Sequence, residues 1–196
     1  MEHRRVVAAR RMVRRYTGEP VARDALGRIA AAAARGPTAG NTGGVSVVVV
    51  TDPVTRDRIA RLAGEPAHTA RGFDPWLSSA PAHLVIVVEP DRYRARYAEP
   101  DKDPAALVIP WWWVDGGAAM VLAALAAVDE GLAAGFLGGH RLAGVGDLLG
   151  VPAGAAVLGL LTIGHPAPDR RSSSLDRPTP SRRVHHEAWD DDRPAD

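Results

Sequence analysis

The chain has 196 residues, of which 46% are hydrophobic and 24% are charged, and this composition is typical of one folded domain with a sizeable apolar core. Its formal net charge of +1 gives no general affinity for nucleic acid. The lack of cysteine excludes disulfides, thiolate metal sites and cysteine nucleophiles. The apolar stretch of a signal peptide does not follow Met1, so a cytoplasmic protein is expected.

Two helices and a strand are predicted at the start of the chain. His3–Tyr16 is predicted to be a basic helix, with arginine at positions 4, 5, 10, 11, 14 and 15. Arg23–Arg35 is predicted to be a second helix, because apolar residues recur along one face before Gly36 and a proline end it. Val45–Thr51 is predicted to be a strand, and its continuous valines indicate burial on both faces.

The middle of the chain is predicted to contain a helix, a strand and a polar segment. The helix covers residues 52–62, since it starts with Asp as a good N-cap and Pro as a good first helical residue. Gly64–Ala80 is expected to be irregular, with one helical turn around Trp76. His83–Glu89 is a second buried strand. Pro90–Pro110 is polar and interrupted by prolines, which predicts a mobile flap whose tyrosines could cover a substrate.

The longest predicted helix is Trp112–Ala134. Its apolar stripe comprises Val114, Ala118, Val121, Leu122, Leu125, Val128 and Leu132. The opposite side is mostly alanine, and a helix that is apolar nearly all round lies at the centre of a fold or at a subunit interface. The overlapping run Ile109–Val128 has the length of a membrane span. Asp115 within it would cost about 2.5–3.5 kcal/mol in a bilayer, so a buried helix of a soluble core is preferred.

The last predicted elements are a short buried strand or turn at Gly135–Gly138, a helix at Arg141–Leu149 and a strand at Ala155–Ile163. Residues 166–196 are rich in Pro, Arg, Ser and Asp and cannot form a core of their own, although residues 184–189 could add a strand. The sequence therefore predicts a folded domain over 1–165 and an extended C-terminal arm over 166–196 that ends in disordered residues. Strands that alternate with helices indicate an α/β domain of two or three layers.

Arginines and a polar loop are the clearest indications of function. Arg10, Arg11 and Arg14 could hold an anion through charge-assisted hydrogen bonds. The loop at 36–42 leads into a predicted strand and could offer backbone N–H groups and short side-chain donors to the edge of a flat polar ring. Taken alone, the arginines could equally form a solvated basic helix or an arm that touches nucleic acid, and the loop could simply be a turn.

In their order and spacing, these motifs resemble the nitroreductase family of FMN flavoproteins. The resemblance covers roughly Arg10–Trp189 and rests on the arginine block at 10–16, the loop at 37–41, the helix start at 113–119 and the Gly-Leu-containing segment at 129–138. The sequence departs from the family pattern at two places. Met12 takes the place of a frequent serine, and Gly43-Gly44-Val45 takes the place of Gln-Pro-Trp.

The resemblance implies an α+β sandwich, in which helices flank a mixed, mainly antiparallel sheet, and an intertwined homodimer completed by the C-terminal arms. It implies FMN at the dimer interface, NADH or NADPH as electron donor, and a small-molecule acceptor. The implied cofactor-binding residues are Arg10, Arg11, Met12, Arg14, Pro37, Thr38, Ala39, Asn41, Gly131, Leu132 and Gly135, with Arg171 and Arg177 from the arm. Neither a catalytic side chain nor a metal is implied, because the flavin N5 carries the chemistry.

Three functions stay open on the sequence. The first is an NAD(P)H-dependent FMN oxidoreductase that acts on a nitroaromatic, quinone or enone-like acceptor. The second is a specialised flavin-dependent dehydrogenase or tailoring enzyme, which the Gly43-Gly44 pair motivates. The third is a non-catalytic flavin-binding or interaction protein, which Met12 motivates. Nucleic-acid and membrane partners are not expected, because the net charge is near zero and the apolar run contains Asp115. A metal is not expected either, since His185 and His186 would point to opposite faces of a strand.

Overall fold

The computed structural model describes residues 2–168 and 184–189. Its helices are α1 (His3–Ala9), α2 (Arg23–Ala33), α3 (Pro53–Leu62), α4 (Glu65–Thr69), α5 (Pro90–Tyr97), α6 (Trp111–Asp129) and α7 (Val145–Leu148). Its strands are β1 (Val45–Val50), β2 (Ala82–Val88), β3 (Ala133–Gly138) and β4 (Ala156–Gly164). Short 3-10 turns lie at Ala39–Asn41, Pro104–Val108 and Gly139–Arg141.

The four strands form one antiparallel sheet in the order β1-β2-β4-β3. Leu161 in β4 pairs with Leu84 of β2 on one side and with Phe136 of β3 on the other. Every residue of β2 is buried, as expected for a central strand with helices on both faces of its sheet. The predicted α+β class, with helices flanking a mainly antiparallel sheet, is confirmed.

The sheet separates two hydrophobic cores, because successive side chains of a strand point to opposite faces. On one face, α2 and α6 cover Leu84 and Ile86 of β2. On the other face, α3 and α7 cover Val85 and Val87. Each aliphatic side chain buried in this way stabilises the fold by roughly 1.5–3 kcal/mol relative to its exposure, so β2 anchors both layers.

Strand β1 lies at the edge of the sheet, and the prediction that it is buried on both faces is wrong. Ser46 is exposed and Val49 is 40% exposed. The strand pairs only with β2, from Val45 opposite Val88 to Val50 opposite His83. The preference of valine for extended backbone accounts for the valine run without burial on two faces.

The N-terminal helix is shorter than the predicted His3–Tyr16, because the edge of the sheet binds its second half. Helix α1 ends at Ala9. The Val13 N–H donates to the carbonyl of Ala134 (2.9 Å), and the Tyr16 hydroxyl lies 2.6 Å from Thr162 Oγ1. These partners are distant in sequence, so the local pattern of residues 3–16 does not reveal them.

The alanine side of α6 faces the core, and the predicted aliphatic stripe mostly does not. Ala119, Ala123 and Ala127 are at most 1% exposed and belong to the core between α2, α6 and the sheet. Val114 and Val121 of the stripe are 51% and 45% exposed. Small side chains let a helix approach a sheet closely, which leaves the larger side chains on the outward face.

Helix α6 is also long and apolar enough to cross a membrane, judged by length and composition over the described residues. Its alanine face packs in the core, however, and its Asp115 is buried at 6% exposure. Both features fit the expected core helix of a folded domain.

Helix α6 ends at Asp129, before the predicted boundary at Ala134. Gly131 adopts a left-handed φ of 74° and donates its N–H to the Val128 carbonyl. The N–H of Leu132 donates to the Ala127 carbonyl (2.8 Å). This pair of bonds is the Schellman arrangement, which ends helices at glycine. Strand β3 therefore begins at Ala133 instead of the predicted Gly135.

The segment Pro90–Pro110 is not a flap. Helix α5 occupies its first part, with Pro90 at a first-turn position where proline favours a helix. Tyr93 and Tyr97 are 0% and 8% exposed, so neither is available to cover a substrate.

Three shorter elements also differ from the predictions. The helical turn of the Gly64–Ala80 region is α4, at Glu65–Thr69, and does not include Trp76. The helix predicted at Arg141–Leu149 divides into a 3-10 turn and the short α7. Residues 184–189 form no strand. The other parts of the arm, 169–183 and 190–196, lie outside the described residues.

Candidate functional site

The arginine segment, which we define as residues 10–16, runs along the edge of the sheet beside β3. Met12 forms a parallel bridge with Ala134. Gly135 lies at the point of closest approach, where a Cβ would overlap the carbonyl oxygen of Val13. The structure thus brings the segment that carries Arg10, Arg11, Met12 and Arg14 next to Gly135 of the second predicted group.

Positive charge on the arginine segment is mostly left without a carboxylate partner. Arg15 pairs with Asp74 (3.5 Å). Within residues 2–168 and 184–189, no Asp or Glu side chain forms an ion pair with Arg10, Arg11 or Arg14. Guanidinium groups that cluster in this way can bind a phosphate group through charge-assisted, bidentate hydrogen bonds.

The Trp76 ring packs against the arginine segment at Arg14. The Arg14 guanidinium lies over this ring, 5.4 Å from the centroid, a distance suited to a cation–π interaction. Glu65, which is 6% exposed, accepts the backbone N–H groups of residues 76–78 at 2.8, 2.6 and 3.1 Å. Arg56 donates to the carbonyl of Ala80 at the end of the same loop. These bonds satisfy a buried carboxylate and fix the position of Trp76.

The predicted flavin loop, which we define as residues 37–44, connects α2 with β1. The Ala39 N–H donates to Asp115 Oδ2 (2.8 Å), and the Gly43 N–H donates to Thr38 Oγ1 (2.9 Å). Asn41 has a left-handed φ of 57° and is exposed, as is Pro37. The loop is therefore held by one bond within itself and one bond to α6, and Asn41 is exposed at its surface.

The Gly43-Gly44 pair has a structural explanation. Gly43 has a left-handed φ of 66°, which glycine adopts without strain. A Cβ at Gly44 would overlap the ring of Tyr93. Glycine at position 44, in place of a larger residue, therefore allows α5 to pack against the flavin loop.

The two halves of the predicted site lie at opposite ends of α6. The flavin loop is bonded to Asp115 near the start of the helix, whereas the arginine segment pairs with Ala134, just beyond its end. At 1.5 Å per residue, the helix between Asp115 and Asp129 is about 20 Å long. One chain therefore does not bring the two predicted halves together.

Four other predicted cofactor-binding residues lie at the end of α6 or in the C-terminal arm. Gly131 and Leu132 form the C-terminal cap of α6 through their N–H groups, so both have a structural role whether or not they contact a cofactor. Arg171 and Arg177 lie outside the described residues. Across the described ranges, no group of three or more His, Cys, Asp or Glu side chains could hold a metal ion.

Sequence reasoning missed the supporting residues of both halves, namely Asp115, Tyr93 and Trp76. A signal existed for Asp115, because a lone carboxylate in an otherwise apolar helix is expected to have a specific partner. Its partners are the Ala39 N–H and the Tyr93 hydroxyl, at 2.8 and 2.7 Å. Tyr93 and Trp76 carried no such signal, because their contacts depend on the tertiary fold.

The fold and these two half-sites define an α+β protein whose antiparallel sheet is flanked by helices and carries an arginine-rich segment along one edge. A model of the nitroreductase family matches residues 7–165. The chain therefore belongs to the nitroreductase family, as its motifs predicted.

Individual relatives agree with this assignment. The FMN reductase [NAD(P)H] of Bacillus subtilis (strain 168) is 32% identical over 186 residues, which cover 90% of this chain and 70% of that protein. The NADPH-flavin oxidoreductase of Vibrio harveyi is 30% identical over 162 residues, or 82% of this chain, and the chain spans 64% of that relative's length. The structure of B. megaterium NfrA2 superposes with a TM-score of 0.75 at 26% identity, over 98% of this chain and 76% of that one.

Proposed function

We propose that this protein is an FMN-dependent oxidoreductase that acts as a homodimer and transfers hydride from NADH or NADPH to an electron-poor small molecule. Its relatives include an FMN reductase and an NADPH-flavin oxidoreductase, which supports a flavin and a nicotinamide donor. Nitroaromatic, quinone and enone-like compounds are the acceptor classes we propose. We further propose a cytoplasmic protein without nucleic-acid or membrane partners.

The observation that carries the proposal is the arginine segment. Arg10, Arg11 and Arg14 lie within five positions of one another beside the edge strand β3, and none of the described carboxylates forms an ion pair with them. Such a cluster fits the phosphate of FMN better than a neutral ligand. Gly135 also fits, since it lets the segment lie close against β3.

The ring of FMN requires polar contacts along its edge, and the flavin loop offers them. Asn41 supplies an exposed carboxamide, which both donates and accepts hydrogen bonds. Pro37, Thr38 and Ala39 would contribute contacts from the same loop. The residues present therefore fit the cofactor at both of its ends.

A second copy of the chain would join the two half-sites. Because they lie about 20 Å apart along α6, the arginine segment of one copy would meet the flavin loop of the other. Exposed apolar side chains accompany both halves: Val7 and Met12 are 49% and 39% exposed near the arginines, and Val114 is 51% exposed near the loop. Apolar surface of this kind favours a protein partner.

The chemistry that FMN supplies when bound is the acceptance of hydride at N5 from the nicotinamide and its donation to the acceptor. The described residues anchor and orient the cofactor: Arg10, Arg11 and Arg14 hold the phosphate, and Asn41 contacts the ring edge. A general acid–base pair is not required for these tasks.

An absorption spectrum tests the proposal directly. The purified protein should be yellow with one FMN per subunit, and anaerobic NADH or NADPH should bleach it. Protein that is colourless and takes up no FMN on titration would refute the proposal. Bleaching without turnover of nitro or quinone acceptors would favour a specialised dehydrogenase, and FMN binding without reduction would favour a non-catalytic flavin protein.

Arg14→Ala tests the phosphate assignment. We expect FMN affinity to fall by about tenfold, because one charge-assisted contact is lost. Arg58→Ala, at an exposed position of α3, is the control. Equal FMN affinity of the Arg14 variant and the wild type would contradict the assignment.

A further inference from the structure

One face of α5 contacts the flavin loop along most of its length. Tyr93, Arg96 and Tyr97 are spaced i, i+3 and i+4, so they lie on the same side of the helix. The Tyr97 ring lies against Gly40, and the Tyr93 ring lies against Gly44. The loop thus rests on two buried aromatic rings, one at its middle and one at its C-terminal end.

Arg96 adds a polar contact between the two rings. Its Nε donates to the carbonyl oxygen of Gly40 (2.8 Å). Its two Nη atoms donate to the two carboxylate oxygens of Asp101 at 2.7 and 2.8 Å, which orients the planar guanidinium. The Arg96 side chain is only 21% exposed, so the contact with the loop is partly shielded from water.

Tyr93 also supports the middle of the loop, through Asp115. Its hydroxyl donates to Asp115 Oδ2 (2.7 Å), the oxygen that also accepts the Ala39 N–H (2.8 Å). Burial, followed by the Asp115 carboxylate, raises the pKa of Tyr93 well above its ordinary value. The phenol therefore remains a hydrogen-bond donor, and the loop is fixed at Ala39 as well as at Gly40.

The loop needs such support because of its backbone. Gly40, Asn41 and Gly43 all have left-handed φ angles, of 64°, 57° and 66°. Asparagine tolerates this conformation better than most residues but less readily than glycine, so support from the surroundings still stabilises it. The contacts from α5 lie on the residues that flank Asn41.

We infer that α5 is a positioning element for the flavin loop, and that Arg96 is a positioning residue that holds Asn41 in the geometry needed to meet the flavin before FMN binds. The inference rests on the proposed function, because it assigns α5 a role at that same site. Contacts from α5 would order the flavin loop before FMN binds, and a loop that is already ordered loses less conformational entropy on binding.

Arg96→Gln and Arg92→Gln form a matched pair for testing the inference. Both arginines lie on α5 and bind a nearby carboxylate, but Arg92 pairs with Glu89 (2.9 Å) and does not contact the loop. We expect Arg96→Gln to weaken FMN binding by about tenfold, and Arg92→Gln to bind within about twofold of the wild type. FMN affinity is measured by titration of flavin fluorescence with the full chain.

Hydrogen exchange of the full chain supplies a readout that is independent of flavin. The amides of Ala39, Asn41, Thr42 and Gly43 all donate hydrogen bonds within or next to the loop. In Arg96→Gln these amides should exchange about tenfold faster than in the wild type without added FMN, whereas Arg92→Gln should leave them unchanged. Arg96→Lys, which keeps one charged donor, should lie between the wild type and Arg96→Gln, and it replaces the glutamine variant if that variant does not fold.

The outcomes separate this inference from the proposed function. Wild-type protein that takes up no FMN would overturn the proposed function and, with it, the flavin role of α5. If the wild type binds FMN and the Arg96 variant binds it equally well, only the inference is overturned. Weaker FMN binding with unchanged exchange of the loop amides would also overturn it, because Arg96 would then act by another route.

Discussion

Acid should destabilise this fold through one buried histidine. His83 in β2 is 0% exposed, and its Nε2 lies 2.8 Å from the carbonyl oxygen of Leu77. Its Nδ1 is buried without a hydrogen-bond partner among the described residues. Burial lowers the pKa of His83 from 6.5 to about 4, although the bond to the Leu77 carbonyl opposes this shift. The nearby Arg56 lowers the pKa further, and Glu65 raises it.

The sign of the pH effect follows from these two pKa values. As the pH falls below 6.5, the unfolded chain binds a proton at His83 before the folded protein does, so the free energy of unfolding decreases until the pH reaches about 4. With 1.36 kcal/mol for each pH unit between the two pKa values, the loss is about 2–3 kcal/mol at pH 4.5 and about 3 kcal/mol below pH 4. A loss of that size is a large fraction of the stability of an ordinary domain.

Urea unfolding of the wild type and of His83→Gln measures this contribution. The glutamine amide can still donate to the Leu77 carbonyl but does not titrate. Between about pH 7 and pH 4.5, we expect the free energy of unfolding to fall by about 2–3 kcal/mol more in the wild type than in the variant, while carboxylates contribute equally to both. Both proteins must be compared at one concentration if they are dimers. Equal losses in the two proteins would refute the reasoning, and His140→Gln, at an exposed position, serves as the control.

Two further predictions test the half-sites and the way in which they meet. Gly135→Ala should push the arginine segment away from β3, because its Cβ would overlap the Val13 carbonyl; we expect FMN titration to show at least about tenfold weaker binding, with about 1–3 kcal/mol lower stability in urea. Unchanged FMN affinity would show that the position of the segment does not matter. Val121→Asp places a charge on the 45% exposed aliphatic face of α6 and should yield monomers by sedimentation that bind little FMN, whereas Val54→Asp on α3 should not. A dimeric Val121 variant would place the interface elsewhere.

The sequence predicted best those elements whose signals are local. The helix predicted over residues 52–62 begins at Asp52, whose carboxylate caps the Thr55 N–H (2.7 Å) as its N-cap position suggested. The end of α1 was not predictable in this way, because Val13 finds its hydrogen-bond partner in Ala134. The core-facing side of α6 was also missed, since alanine and valine stripes compete on the same helix and only packing decides between them.

The site itself was predicted as a set of residue types but not as a geometry. The arginines and the polar loop could be found because charge and turn chemistry are visible in the sequence. Their supports could not, since Trp76, Tyr93 and Arg96 act through tertiary contacts with Arg14, Asp115 and Gly40. Gly131 and Gly135 were predicted as cofactor contacts, yet each also has a backbone role that glycine alone performs without strain.

The composition of α6 explains how a helix can be both core and proposed interface. Alanine on one side lets the helix lie close to the sheet, so its bulkier residues cannot also point inward. They form an exposed aliphatic face, on which Val114 lies near the flavin loop and Val121 about two turns further on. A second copy packed on this face with its α6 antiparallel would bring its arginine segment to the first copy's flavin loop. At the other end of the helix pair, the first copy's arginine segment would meet the second copy's flavin loop. Two equivalent sites would follow from this one packing, as expected for a two-fold symmetric contact.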